Sequence, residues 1–294
     1  MSALLDKRLV VVTGKGGAGK TTLAVALGLT AARHGKRVVL CEVAGGDRMA
    51  RLAPELTTVS VDPDEAKREW LRYQLKSRTL AGVLGGSSLF QYLTAAAPGL
   101  TELVTIGKVW DLAQLEPRAG GASFDLAIVD APATGHGLAM LRAPSTYASI
   151  ARVGPVGRHA ERIDSFLRDP RQTGVLAVAL PEEMPVNETV EFERALDREL
   201  GIAIDAILVN AVHPARFRPE ECRRLESVAA GSRVGRAAID AALGEHRRAR
   251  GEHGQVRRLR RAATAPVTTL PRIFEPELGR EDIERLSIEL ERKL

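Results

Sequence analysis

Cysteine is nearly absent from this chain: of 294 residues only Cys41 and Cys222 carry a thiol. Two thiols cannot build a disulfide framework, a four-thiolate zinc site or a self-contained iron–sulfur site. No apolar run approaches the roughly 18–20 residues that a membrane span needs. The opening stretch MSALLDKRLVVV leads straight into an apolar run without a cleavable signal pattern. These absences point to a soluble, cytoplasmic protein. Internal repeats and low-complexity tracts are also missing. What is present is enough apolar surface for a core, since 45% of residues are hydrophobic, and this excludes global disorder. The net charge of +5 invites a nucleic-acid reading, but it is concentrated in one place. Residues 247–261 hold seven arginines against one glutamate, so the rest of the chain is close to neutral.

Short apolar runs recur at Leu9–Thr13, Arg37–Val43, Leu126–Asp130, Val175–Leu180, Ile204–Asn210 and Val267–Leu270. Most are near-continuous, as expected for strands covered on both faces. Between the first two lies the Ala- and Leu-rich segment Thr21–Arg33, closed by Gly35 where a helix C-cap belongs. Strand, Gly-rich turn, helix and strand in this order predict an α/β fold with a doubly wound, mostly parallel sheet in one domain spanning 1–294. Residues 62–118 are mostly helix-forming and too long for one crossover, so a helical insertion is expected there. A second helical excursion is expected over 145–170. The final segment Glu281–Leu294 places Ile283, Leu286, Leu290 and Leu294 on one face, which suits docking on its own domain.

The run Gly14-Lys15-Gly16-Gly17-Ala18-Gly19-Lys20-Thr21-Thr22 matches G-x-x-x-x-G-K-[ST] after a buried strand and at a helix start. Glycines let successive backbone N–H groups converge on phosphate oxygens, and the helix N-terminus adds unpaired donors. Gly16, Gly17, Ala18, Gly19, Lys20, Thr21 and Thr22 are therefore candidate nucleotide-binding residues. Lys20 would reach the β- and γ-phosphates of ATP, and the Thr21 hydroxyl would ligate Mg²⁺. A carboxylate completing the metal's shell is expected at the end of a neighbouring buried strand, and Asp130 satisfies that requirement.

The form K-G-G-x-G-K-T-T, with Lys15 inside the loop, resembles the deviant phosphate loop of a class of dimeric ATPases. The stretch Asp130-Ala-Pro-Ala-Thr-Gly-His-Gly-Leu-Ala-Met-Leu141 resembles a stretch of the arsenite-pump and guided-entry (tail-anchored-protein targeting) ATPases. Pro181-Glu182 followed by Glu188-Thr189, Pro98-Gly99 with Glu102, and Pro271–Gly279 resemble further family segments in the family's order. The resemblance implies a Mg²⁺-dependent ATPase working as a homodimer, or as a heterodimer with a paralogous ATPase, whose halves close on nucleotide. It implies that Lys15 reaches the partner's nucleotide, that Asn210 reads adenine, and that Pro271 and Phe274 belong to the loop closing over the base. A hydrophobic protein client is compatible with the family, although four methionines do not make a Met-rich groove.

Departures from the family pattern carry equal weight. The family's water-positioning Asp follows its second strand; here Val43 falls at that position, and Glu42 or Asp47 is the available substitute. Catalytic candidates are thus Lys15, Lys20, Asp47 and Asp130. Three thiolates for a metalloid, or C-x-x-C for a bridging zinc, are lacking. A weakly hydrolysing regulatory subunit paired with an active paralogue is the competing reading. A partitioning-type ATPase that coats DNA or membrane through Arg247–Arg261 is a third, but this stretch also reads as a helix with Val256 and Leu259 inward, so no nucleic-acid partner is expected.

Overall fold

The computed structural model describes residues 4–43, 46–75, 99–115, 122–151, 154–228 and 231–293. The strands described are β1 (Leu9–Gly14), β2 (Val38–Val43), β3 (Thr57–Val61), β4 (Leu126–Ala133), β5 (Thr173–Ala179), β6 (Ala206–Val212) and β7 (Val267–Pro271). They form one sheet in the order β3-β2-β4-β1-β5-β6-β7, and every pairing is parallel. All six residues of β1 are buried, and its Leu9 lies opposite Ala127 of β4 on one side and Thr173 of β5 on the other. A strand without a wet face must be apolar throughout, which explains why these runs are continuous rather than alternating.

Helices cover both faces. The helices among the described residues are α1 (Lys20–Arg33), α2 (Arg48–Leu52), α3 (Pro63–Leu75), α4 (Leu100–Leu112), α5 (Thr134–Ile150), α6 (Pro155–Arg168), α7 (Glu183–Leu200), α8 (Pro219–Ser227), α9 (Arg233–Ala262) and α10 (Arg280–Lys293). One face packs Leu23 and Leu27 of α1 and Ile283, Leu286 and Leu290 of α10 against Val10, Val12, Leu40 and Ile128. The other face packs α4, α5, α6, α7 and α9 against Leu9, Val11, Cys41 and Val129. The C-terminal helix thus docks on its own domain, as its apolar face predicts. It is tied there by Thr30, whose hydroxyl donates to the Ser287 carbonyl at 2.9 Å. No helix among the described residues is long and apolar enough to cross a membrane.

Helix α1 ends as its sequence predicts. Gly35 has φ +76°, its N–H donates to Ala32 O at 2.9 Å, and Lys36 N–H donates to Ala31 O at 3.2 Å. This pairing of the two residues after the cap is a Schellman closure, which glycine allows without strain.

Two local readings differ from the structure. Strand β3 was not among the expected runs: Thr57-Thr-Val-Ser-Val61 is polar and mostly uncovered because it forms a sheet edge. The excursion expected to open near Ser145 belongs to a longer helix, because α5 starts at Thr134 and runs through Pro144 to Ile150. The hydroxyls of Ser145 and Thr146 donate to the Arg142 carbonyl at 2.9 and 3.2 Å, supplying hydrogen bonds next to the proline that cannot donate one. Within 62–118, helix α4 buries Leu103, Ile106, Val109 and Trp110 directly in the main core. Gly85-Gly86 and the apolar residues Leu84, Leu89, Phe90, Tyr92 and Leu93 lie outside the described residues.

Candidate functional site

The loop after β1 rises from the carboxyl edge of the sheet, at its central strand. Gly14 ends the strand at φ +145°, and a Cβ there would lie 2.0 Å from the Val178 carbonyl oxygen of β5. Gly16 and Gly17 form the exposed crest, where a Cβ would meet nothing, while Ala18 is buried. Gly19 caps α1 at φ +94°. No side chain caps that helix start, and its first turn holds no acidic residue. The backbone donors at the N-terminus of α1 are therefore left for an anion.

Lys20 sits in this opening, and among the described residues its ammonium donates only to the Lys15 carbonyl, at 3.3 Å. Burial lowers its pKa, and nearby Asp130 opposes that shift. Among the described residues no carboxylate lies within ion-pair distance of it. Thr21 donates its hydroxyl to Asp130 Oδ2 at 2.5 Å, joining the start of α1 to the end of β4. The other oxygen, Asp130 Oδ1, is buried and has no hydrogen-bond partner. Burial raises the Asp130 pKa despite Thr21, Lys20 and Arg48 nearby. An orphaned buried carboxylate oxygen beside a hydroxyl matches the oxygen donor set that a hard divalent cation takes.

The alternation of side chains along β2 decides which residue faces this site. Leu40 packs on the α1 side of the sheet and Cys41 and Val43 on the opposite side. Glu42 is therefore turned to the α1 side, and it lies opposite Asp130 in the β2–β4 register. Burial, then the charge of Asp130, raises the Glu42 pKa, against the opposing influence of Arg48 and the Met49 backbone N–H. Asp47 is differently placed. Its side chain is 72% exposed and, from the position just before α2, pairs with Arg51 of that helix at 2.5 Å.

Lys15 forms an ion pair with Glu188 of α7 at 2.7 Å, and both side chains remain about a third exposed, at 34%. Asn210, at the end of β6, is not turned outward. Its Nδ2 donates to Ala18 O at 2.9 Å, and its Oδ1 accepts from Ala211 N–H at 2.9 Å. The side chain presses so closely on the loop that a Cβ on Gly19 would lie 2.4 Å from it. Ala211 adopts φ +57°, the one non-glycine residue with positive φ among those described, at a break in the β6–β7 register.

Pro271 ends β7 and is exposed. Phe274 is 53% exposed, stands edge-on to the buried His213 ring at 5.6 Å, and has the Arg216 guanidinium 4.9 Å from its centroid. His213 is held twice by Glu252 of α9, through its backbone N–H and its ring Nδ1, each at 2.8 Å. Sequence reasoning missed Ala211, the His213–Glu252 clamp and Arg48. A backbone conformation and a contact across 39 residues leave no local pattern to read.

A phosphate-type loop on the central strand of an all-parallel sheet, with Asp130 ending the adjacent strand beside Thr21, defines a P-loop nucleoside triphosphatase fold. The sequence model of the anion-transporting ATPases matches residues 7–154 and 148–240, and the chain belongs to that family. It is similar to ATPase BagA of Mycobacterium tuberculosis, 29% identical over 238 residues, covering 75% of this chain and 69% of that protein. ATPase GET3 of Kluyveromyces lactis is 24% identical over 271 residues, covering 75% and 76%. The arsenical pump-driving ATPase of Escherichia coli is 29% identical over 212 residues, 67% of this chain but 35% of that longer protein.

Proposed function

We propose that the chain binds ATP with Mg²⁺ and hydrolyses it as a nucleotide-gated dimer, a homodimer or a pair with a paralogous ATPase, acting in the cytoplasm on a protein client. The observation that carries this reading is the unsatisfied set at one point: uncapped α1 donors, a Lys20 ammonium without a carboxylate, and the orphaned Asp130 Oδ1. Gly16 and Gly17 leave room for phosphate oxygens at the loop crest, and Lys20 neutralises their charge. Thr21 and Asp130 would hold the metal, which when bound screens charge on the phosphates and orients them for in-line attack. Lys15 would leave Glu188 to reach across a dimer interface. Phe274, flanked by His213 and Arg216 and next to Pro271 on the same sheet edge, supports a shelf for the base. Asn210 would serve first by bracing the loop, with its second amide hydrogen left for the base.

Single-turnover hydrolysis by the purified chain tests this reading, with Lys20→Ala as its control. Lys20-dependent turnover is expected, with the variant down at least about 100-fold, the scale on which a lost electrostatic donor acts. The second reading, a subunit that binds ATP without useful hydrolysis, is favoured by Val43, whose side chain packs against the core. ATP binding without Lys20-dependent turnover in the isolated chain would select it.

A further inference from the structure

We infer that Glu42, and not Asp47, is the carboxylate that holds the attacking water of ATP hydrolysis. This rests on the ATPase reading above and specifies a residue for it. The attack needs a hydrogen-bond acceptor close to the γ-phosphate, on the sheet face where the loop and Asp130 meet. Two acidic residues lie near the end of β2. Asp47 spends its carboxylate on Arg51 in solvent. Glu42 shares the α1 face with Asp130, one strand over in direct register, and is only partly exposed. It has no ion pair among the described residues. An ionised carboxylate offers acceptors only, and no side-chain hydrogen bond takes up those of Glu42 among the described residues. Val43 cannot take part, because its side chain lies on the opposite face.

In the step so assigned, the water oxygen bonds to the γ-phosphorus as the bond from phosphorus to the β–γ bridging oxygen breaks. ADP leaves with that electron pair. The water proton, directed by its hydrogen bond to Glu42, ends on an oxygen of the phosphate product.

Three variants of the full chain test the assignment: Glu42→Gln, Glu42→Asp and Asp47→Asn. For Glu42→Gln, single-turnover hydrolysis is expected to fall about 100-fold or more, within the range for a positioned acid–base group. Affinity for a fluorescent ATP analogue should stay within about threefold, as expected when an interaction is made only in the transition state. Nucleotide extracted from ATP-loaded protein after gel filtration should be ATP for Glu42→Gln and mostly ADP for the unaltered chain. Glu42→Asp should recover part of the rate, and Asp47→Asn should hydrolyse at the unaltered rate. Unaltered turnover in Glu42→Gln, or loss of binding in proportion to turnover, overturns the assignment while the unaltered chain's Lys20-dependent hydrolysis still supports the wider reading. Absence of that hydrolysis overturns both.

Discussion

Gly19 meets two demands at once, a left-handed backbone at φ +94° and the contact with Asn210 Nδ2. Alanine at this position would push the amide off the Ala18 carbonyl and carry roughly 1–2 kcal/mol of conformational strain. Thermal melting should place Gly19→Ala a few degrees below the unaltered chain, with weaker nucleotide binding, whereas Gly16→Ala, at an open position, should melt unchanged. The loop itself was legible from its residues, since glycine spacing, Lys20 and Thr21 are local. The orientation of Asn210 was not, because it rests on a bond to the Ala18 carbonyl, 192 residues away, that no local pattern announces. The acidic candidates show the same limit. Counting along the chain puts Val43 at the critical position, while the pleat of β2 turns Glu42 toward Asp130.

At the scale of elements, strands with two covered faces could be read directly from their apolar runs. The edge strand β3 and the start of α5 could not. Edge residues need no continuous apolarity, and the segment after Asp130 carries loop-like Pro132 and Gly135 at the start of a helix that continues through Pro144. The α1–α10 pair is more predictable, because Leu286 and Leu290 recur at helical spacing and are both buried. Leu290 is 0% exposed against α1, so Leu290→Ala should lower unfolding free energy by about 2–5 kcal/mol in denaturant titration. The phosphate loop is carried at the start of α1, so the same variant should weaken nucleotide binding only through the folded fraction.

At the scale of the whole molecule, the Lys15–Glu188 pair would set a starting condition for the dimer closure proposed above. A partly exposed ion pair of this kind is worth about 0–1 kcal/mol, little enough for a partner's phosphates to outcompete. Glu188→Gln is therefore expected to leave the melting temperature almost unchanged and to raise the dimer fraction seen by light scattering with ATP. Lys15→Ala should lower that fraction. A dimer fraction that ignores both substitutions would remove Lys15 from the interface.

The grip of Glu252 on His213 has a mechanical consequence. It pins α9 to the end of β6, beside the Phe274 shelf, while the exposed start of the helix at Arg233 lies 19 residues away. At 1.5 Å per residue that arm is roughly 28 Å long, so a tilt of about 10° at the clamp sweeps its tip by about 5 Å. With Phe274 as the proposed shelf for a base, the helix would act as a lever whose fulcrum lies beside it, turning a small adjustment there into a larger displacement at the tip.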